Sequence, residues 1–209
     1  MRLAAVWIPD WPVLAAMAAA DISANEPAAL YDNRRITGVS AAARAQGVRR
    51  GMRRRQAQGC CPELQLLTVD EGRDVRAFEP VIAAVEHVVS GIEVVRPGLL
   101  LLPVAGAARY HGGEAVLVEL LVNQVTKTTG YEVQAGIADG TLAAVLAARA
   151  AVIVAVGESA AFLASWPITE LSRMATSPRA ATGLAELVDL WRRLGIYTLG
   201  DLAALPAAD

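Results

Sequence analysis

Eight arginines, Arg34, Arg35, Arg44, Arg49, Arg50, Arg53, Arg54 and Arg55, lie between Asn33 and Pro62, and no aspartate or glutamate interrupts them. The whole chain carries a formal charge of −2, yet removing this segment leaves 11 basic against 21 acidic residues. Charge is therefore segregated, which is what a local anion-binding face requires. Guanidinium groups in such numbers suit phosphate backbones, since each phosphate contact releases counterions and makes affinity salt-dependent. An acidic partner surface or a solvated arginine face would use the same residues. Asp10 is a candidate metal ligand or, sitting before the apolar run from Val13, a helix cap. Asp139-Gly140-Thr141 reads as a turn with a cap, because a phosphate-cradling loop needs more backbone amides. His87 and His111 lie too far apart to suggest a histidine metal site, and His111 beside Gly112-Gly113 reads as a loop residue. Cys60 and Cys61 are adjacent, unsuited to an ordinary bridge or to zinc spacing, and read as packing residues in a reducing compartment.

The elements that must position these groups are legible from apolar patterning. Residues 2–8 form a buried strand, closed by Pro9-Asp10-Trp11-Pro12, with a helix from Val13 to Ala20. Strands follow at 27–31, 36–39 and 64–69. Ser40 caps a helix that runs through Gln46 and stops at Gly47, and a second short helix fits 53–59. A helix over 74–89 places Val75, Phe78, Ile82, Val85 and Val89 on one face. The stretch 91–103 reads as strand, Pro97-Gly98 break and second apolar strand. Helices are predicted at 114–129, ended by Gly130, and at 141–150, with strands at 133–137 and 152–156. After Ala161 the pattern is helical, with a turn at Gly195-Ile196-Tyr197 and a capping box opening at Thr198. The predicted class is α/β (α+β), helices covering a mostly antiparallel sheet.

At 209 residues the chain can hold one large or two small domains, and 55% hydrophobic residues provide ample core. No apolar run is long enough and free enough of charge to span a membrane, and the N-terminus lacks a signal-peptide layout. The reading is cytoplasmic.

Several segments, in order, resemble the Y-family (translesion) DNA polymerases. Residues 5–15, Ala-Val-Trp-Ile-Pro-Asp-Trp-Pro-Val-Leu-Ala, are similar to that family's first strand motif. Residues 38–52, Gly-Val-Ser-Ala-Ala-Ala-Arg-Ala-Gln-Gly-Val-Arg-Arg-Gly-Met, resemble its fingers motif. Cys-Pro-Glu-Leu at 61–64, Ala-Gly-Ile-Ala at 135–138 and Leu-Gly-Ile-Tyr-Thr-Leu-Gly-Asp at 194–201 follow in register. The resemblance implies a polymerase-like right hand: palm at 1–10 and 71–160, fingers at 11–70 and a partial thumb at 161–209, with a little finger and C-terminal tail outside the sequence.

The departures matter most. On this alignment the family's metal-binding carboxylates fall on Ile8, Gly98 and Leu99. Its triphosphate-binding tyrosine falls on Ala41, its steric-gate aromatic on Val13 and its palm lysine on Val145. Arg44 alone keeps a phosphate-contacting identity, and hydrocarbon offers a hard divalent cation no oxygen. With Pro9-Asp10-Trp11-Pro12 and residues 107–113, the pattern resembles the inactive, ImuB-type branch of the bacterial mutasome. That branch implies a non-catalytic, nucleoid-associated adaptor without metal or other cofactor. It would contact DNA through Arg44, Arg49, Arg50, Arg53, Arg54 and Arg55. Its partners would be an error-prone C-family DNA polymerase, a RecA-like accessory protein and the sliding clamp, mostly through regions outside this chain. The alternatives are an active translesion polymerase with atypical ligands such as Asp10 or Glu93, and a purely protein-binding module.

Overall fold

The computed structural model describes residues 1–174 and 178–206. Its centre is a four-stranded sheet in the order β5-β6-β1-β7. The strands are β1 (Arg2–Trp7), β5 (Glu93–Arg96), β6 (Leu99–Pro103) and β7 (Gln134–Asp139). All neighbours are antiparallel; β1 pairs with β6 from Leu3↔Pro103 to Trp7↔Leu99 and with β7 from Arg2↔Asp139 to Trp7↔Gln134. Both faces of β1 and β6 are covered, which explains why they read as continuous apolar runs rather than alternating ones. Ala4, Val6 and Ile8 face one way with Leu100 and Leu102, against α4 (Glu71–Glu86) and α6 (Glu114–Thr129). Leu3, Ala5, Leu99 and Leu101 face the other way, against Ala144, Val145 and Ala148 of α7 (Thr141–Ala150).

A second, three-stranded sheet has the order β3-β2-β4, from β2 (Ala28–Tyr31), β3 (Ile36–Val39) and β4 (Gln65–Thr68). Here β2 and β4 are parallel, an exception to the antiparallel expectation. Helix α1 (Trp11–Ala19) is wedged between the sheets. Trp11 and Ala15 enter the large core, while Val13, Ala16 and Met17 pack on Ala28 and Leu30. Two short helices, α2 (Ala41–Ala45) and α3 (Arg54–Cys60), cover the far face through Ala43 and Ala57. Ser40 caps α2 as expected, accepting from the Ala43 amide at 3.2 Å, and also accepts from Ala28 N at 2.9 Å.

The C-terminal helices are α8 (Ser159–Ala164), a 3₁₀ turn (Ile168–Met174), α9 (Pro178–Arg193) and α10 (Leu199–Ala203). They join α7 through Leu146, Ile168, Val188, Ile196 and Leu199. The capping box at Thr198 and Asp201 forms, and its backbone hydrogen bonds pull the Asp201 carboxyl below its ordinary value.

Three local readings change. The predicted strand at 152–156 reduces to one parallel bridge, Ile137↔Ile153, because the chain turns away at Gly157, whose amide is held by the Asp139 carboxylate at 2.8 Å. Residues around His111 are helical, not loop: α5 (Val104–His111) starts after Pro103 and stops at left-handed Gly112. Helix α4 begins at Glu71, capped by Asp70, and buries Asp74, Phe78, Val81, Ala84 and Val85, leaving Val75 exposed. No described helix is long and apolar enough to cross a membrane.

Helix α7 approaches β7 at Gly136, where an added Cβ would lie 2.2 Å from the Ala147 carbonyl carbon and 2.3 Å from the Ala148 nitrogen. Backbone cannot yield as a side-chain tip can, so Gly136→Ala must push the helix off the sheet. Overpacking of this kind costs about 3 kcal/mol, and chemical denaturation of the variant is expected to show a loss of that size.

Candidate functional site

A cleft of about 270 Å³ opens where β1, the β5–β6 hairpin, α7 and the C-terminal helices meet, lined by Trp7, Asp10, Trp11, Arg50, Arg96, Val145, Arg149 and Glu170 among others. The hairpin turns through Pro97-Gly98, and Gly98 has φ +88°. Its carbonyl accepts the Ile8 amide at 2.9 Å. A Cβ on Gly98 would sit 2.5 Å from Trp11 Cβ and 3.2 Å from the Ile8 carbonyl oxygen. Trp11 itself is anchored on every side. Its ring meets Phe78 and Tyr131 edge-on at 4.9 and 5.0 Å, and its Nε1 donates to the Asp74 carbonyl at 2.9 Å. A side chain at 98 would therefore run into the Trp11 Cβ and the root of its ring, and φ +88° strains any non-glycine residue there as well.

The three positions on which carboxylates were expected therefore differ in place. Ile8 points away from the cleft into the core under α4 and α6. Leu99 is buried against α7. Gly98 presents backbone alone. The side chain that β1 gives to the cleft is Trp7, one residue before the aligned position. Val145 lines the cleft as well, whereas Val13 is buried beside α1's neighbours on the smaller sheet.

Two carboxylates remain here, and each is held by arginine. Asp10 precedes α1 in a left-handed conformation, φ 52°, and its side chain makes no cap hydrogen bond. The expected side-chain cap does not form; the Asp10 backbone carbonyl accepts the helix's ordinary first bonds from Val13 and Leu14. The carboxylate reaches Arg44 at 2.6 Å and Arg50 at 3.8 Å. The hydrogen bond from Arg44 to Asp10 raises that guanidinium's pKa further, against partial desolvation. Glu170, on the 3₁₀ turn, pairs with Arg149 at the end of α7. The Arg149 guanidinium lies between two indoles, 5.5 Å from the Trp7 ring and 5.7 Å from the Trp166 ring. Cation–π attraction of this kind is worth about 1–2 kcal/mol when desolvated. It fastens the C-terminal helices over the sheet.

Among the described residues, no three or more histidines, cysteines, aspartates or glutamates gather closely enough to hold a metal ion. Glu93 is exposed on the edge strand β5 and lines no wall of the cleft.

Of the arginines read from the sequence, Arg44 and Arg50 converge on Asp10. Arg49 turns back onto the Arg44 and Val48 carbonyls at 2.6 and 2.9 Å. Arg53, Arg54 and Arg55 are exposed at the start of α3. Arg149 and Glu170 are cleft residues that sequence patterning did not single out, and Trp166, outside the cleft lining, packs on Arg149. Only Arg149 had a local signal, as a cation in the last turn of α7; its partners are fixed by tertiary packing.

Gly98→Asp would restore a carboxylate in name alone. It would force a non-glycine into the left-handed region and collide with Trp11, together about 3 kcal/mol of destabilisation. Thermal unfolding is expected to show a lower midpoint for this variant, with no recovery on adding Mg²⁺ or Mn²⁺.

The impB/mucB/samB (IMS) family model matches residues 13–149. Among solved structures, a Dbh ternary complex with partially disordered substrates matches at TM-score 0.73 and 17% identity, over 99% of this chain and 60% of that one. DinB from Sulfolobus solfataricus matches at TM-score 0.75 and 16% identity, over 99% and 61%. An insertion ternary complex of Dbh DNA polymerase matches at 0.74 and 18%, over 99% and 61%. This chain thus spans about three fifths of the length of those structures, whose fold it shares. No curated protein matches significantly. The match over most of its length shows that the chain belongs to the impB/mucB/samB family, and its fold is that of the Y-family polymerase hand.

Proposed function

We propose that this chain is the palm (1–10 and 71–160), fingers (11–70) and partial thumb (161–209) of a non-catalytic Y-family polymerase-like adaptor in translesion DNA synthesis and damage-induced mutagenesis. The observation that carries this reading is the chemistry at the three aligned positions: Ile8 and Leu99 are buried hydrocarbon and Gly98 presents backbone alone. Nucleotidyl transfer by this hand needs two hard cations clamped by oxygen, and the cleft's only carboxylates, among the described residues, are Asp10 and Glu170, each paired with arginine. Asp10 and Glu170 face arginines rather than each other. The fold, with its exposed arginines, supports DNA contact by the fingers. The ImuB-type resemblance adds the partners: an error-prone C-family polymerase, a RecA-like accessory protein and the sliding clamp.

Two experiments test the reading. Primer extension on undamaged and lesion-bearing templates, with Mg²⁺ or Mn²⁺, is expected to give no template-directed product. Clear extension would instead establish an active polymerase with atypical ligands. For DNA contact, affinity for a primer–template is measured against salt. Changing Arg49, Arg50, Arg53, Arg54 and Arg55 to alanine is expected to weaken binding at least about tenfold and to flatten the salt slope by about 0.9 for each phosphate that is no longer neutralised. Unaltered binding and slope would remove DNA from the function and leave a protein-binding module.

A further inference from the structure

The pair formed by Asp10 with Arg44 and Arg50 does something that neither helix capping nor metal binding explains. The Asp10 carboxylate is the partly buried member, 16% exposed, and the two guanidiniums are the more accessible ones, at 46% and 63%. Its two oxygens serve different arginines, Oδ2 taking Arg44 and Oδ1 facing Arg50. That is the arrangement in which arginines hold phosphate oxygens. Asp10 keeps it from a left-handed backbone conformation that costs an ordinary residue about 1 kcal/mol, though aspartate tolerates it better than most. Solvent reaches the pair from both sides. The 270 Å³ cleft includes Asp10 and Arg50, and a second cleft of about 440 Å³, lined by Pro9, Leu14, Ser40, Arg44 and Tyr131, includes Asp10 and Arg44.

We propose that Asp10 is an internal phosphate mimic, a carboxylate that occupies the guanidinium groups of Arg44 and Arg50 until a polyanionic phosphate ligand displaces it. Exposed ion pairs contribute little net stability, so a ligand bearing several phosphates outcompetes the single carboxylate, whereas a weakly charged anion does not. Asp10 then sets a threshold: the fingers grip a nucleic-acid backbone less tightly than their arginine count implies, and two further cations become available once the backbone is seated. Where DNA is the ligand, this inference rests on the DNA-contact reading above. A second phosphate ligand separates the two.

The test compares wild type, Asp10→Asn and Asp10→Gly, each also in an Arg44→Ala/Arg50→Ala background. Asparagine keeps the shape and tolerates the left-handed backbone; glycine relieves it and guards against a folding defect in the first variant. Circular dichroism and the melting midpoint establish that each variant is folded. Two probes are titrated against salt, inorganic triphosphate and a primer–template duplex. Both Asp10 variants are expected to bind each probe about tenfold more tightly than wild type at low salt, and to steepen the DNA salt slope by about 1–2. In the Arg44→Ala/Arg50→Ala background the same changes are expected to do nothing. The proposal is overturned if folded Asp10 variants bind triphosphate no better than wild type, or if the gain persists without the two arginines. If triphosphate behaves as expected while no variant binds DNA, the mimic stands and the DNA-contact reading falls. If DNA binds but neither probe responds to Asp10, the mimic falls and DNA contact stands.

Discussion

The architecture hinges on a missing side chain. Because residue 98 is glycine, the hairpin turn can approach the Trp11 Cβ and Cγ, and the indole beyond them reaches Phe78, Tyr131 and the carbonyl of Asp74. A single aromatic thereby joins the hairpin, the helix linking the two sheets, and α4 behind the main sheet. Buried aromatics contribute large apolar area and directional ring contacts together, so this residue fixes both the stability and the relative placement of those elements. The same contact fills the space beside the hairpin tip. A side chain at 98 and this packing exclude each other, since close-packed interiors do not leave room for both.

Around that anchor the chain divides its charges into joints. Arg2 grips Glu114 on α6 and the Val154 carbonyl, tying the first strand to elements more than a hundred residues away. Asp10 connects the start of α1 to the arginines following β3. Arg149 connects the end of α7 to the C-terminal helices through Glu170 and two tryptophans. Each cation spans a boundary between units that hydrophobic packing alone leaves free to slide. At Arg2 and Arg149, where both partners are partly buried, removing one partner strands the other charge; the Asp10 pair, with its guanidiniums open to water, is held less firmly.

Local signals in the sequence marked much of this. The runs at 2–8 and 99–103 are apolar without alternation and became the two central strands, and α6 and α7 have the predicted bounds because Gly130 and Gly140 punctuate them. The capping groups Ser40 and Thr198 announced their helices. What local signals missed depended on distant partners. Residues 104–111 carry Gly106 and small side chains, and become helical between Pro103 and Gly112. Strand patterning at 152–156 was outweighed by the pull of Asp139 on Gly157. At the cleft, alignment by type named Ile8, but the two-residue period of the strand turns Ile8 inward and Trp7 outward. The aromatic seat of Arg149 joins positions 7, 149 and 166, a meeting that periodicity within any one segment does not encode.

The two arginine joints beside the cleft differ in their access to solvent. Beside the smaller sheet the guanidinium of Arg44 is about half exposed; at the other, Arg149 and Glu170 are 19% and 9% exposed, with the Trp7 and Trp166 indoles against Arg149. Mobile ions screen the first and scarcely penetrate the second. Ionic strength therefore weakens the Asp10 pair more than the Arg149 pair, while the packing of Val13, Ala16 and Met17 on Ala28 and Leu30 is untouched by screening.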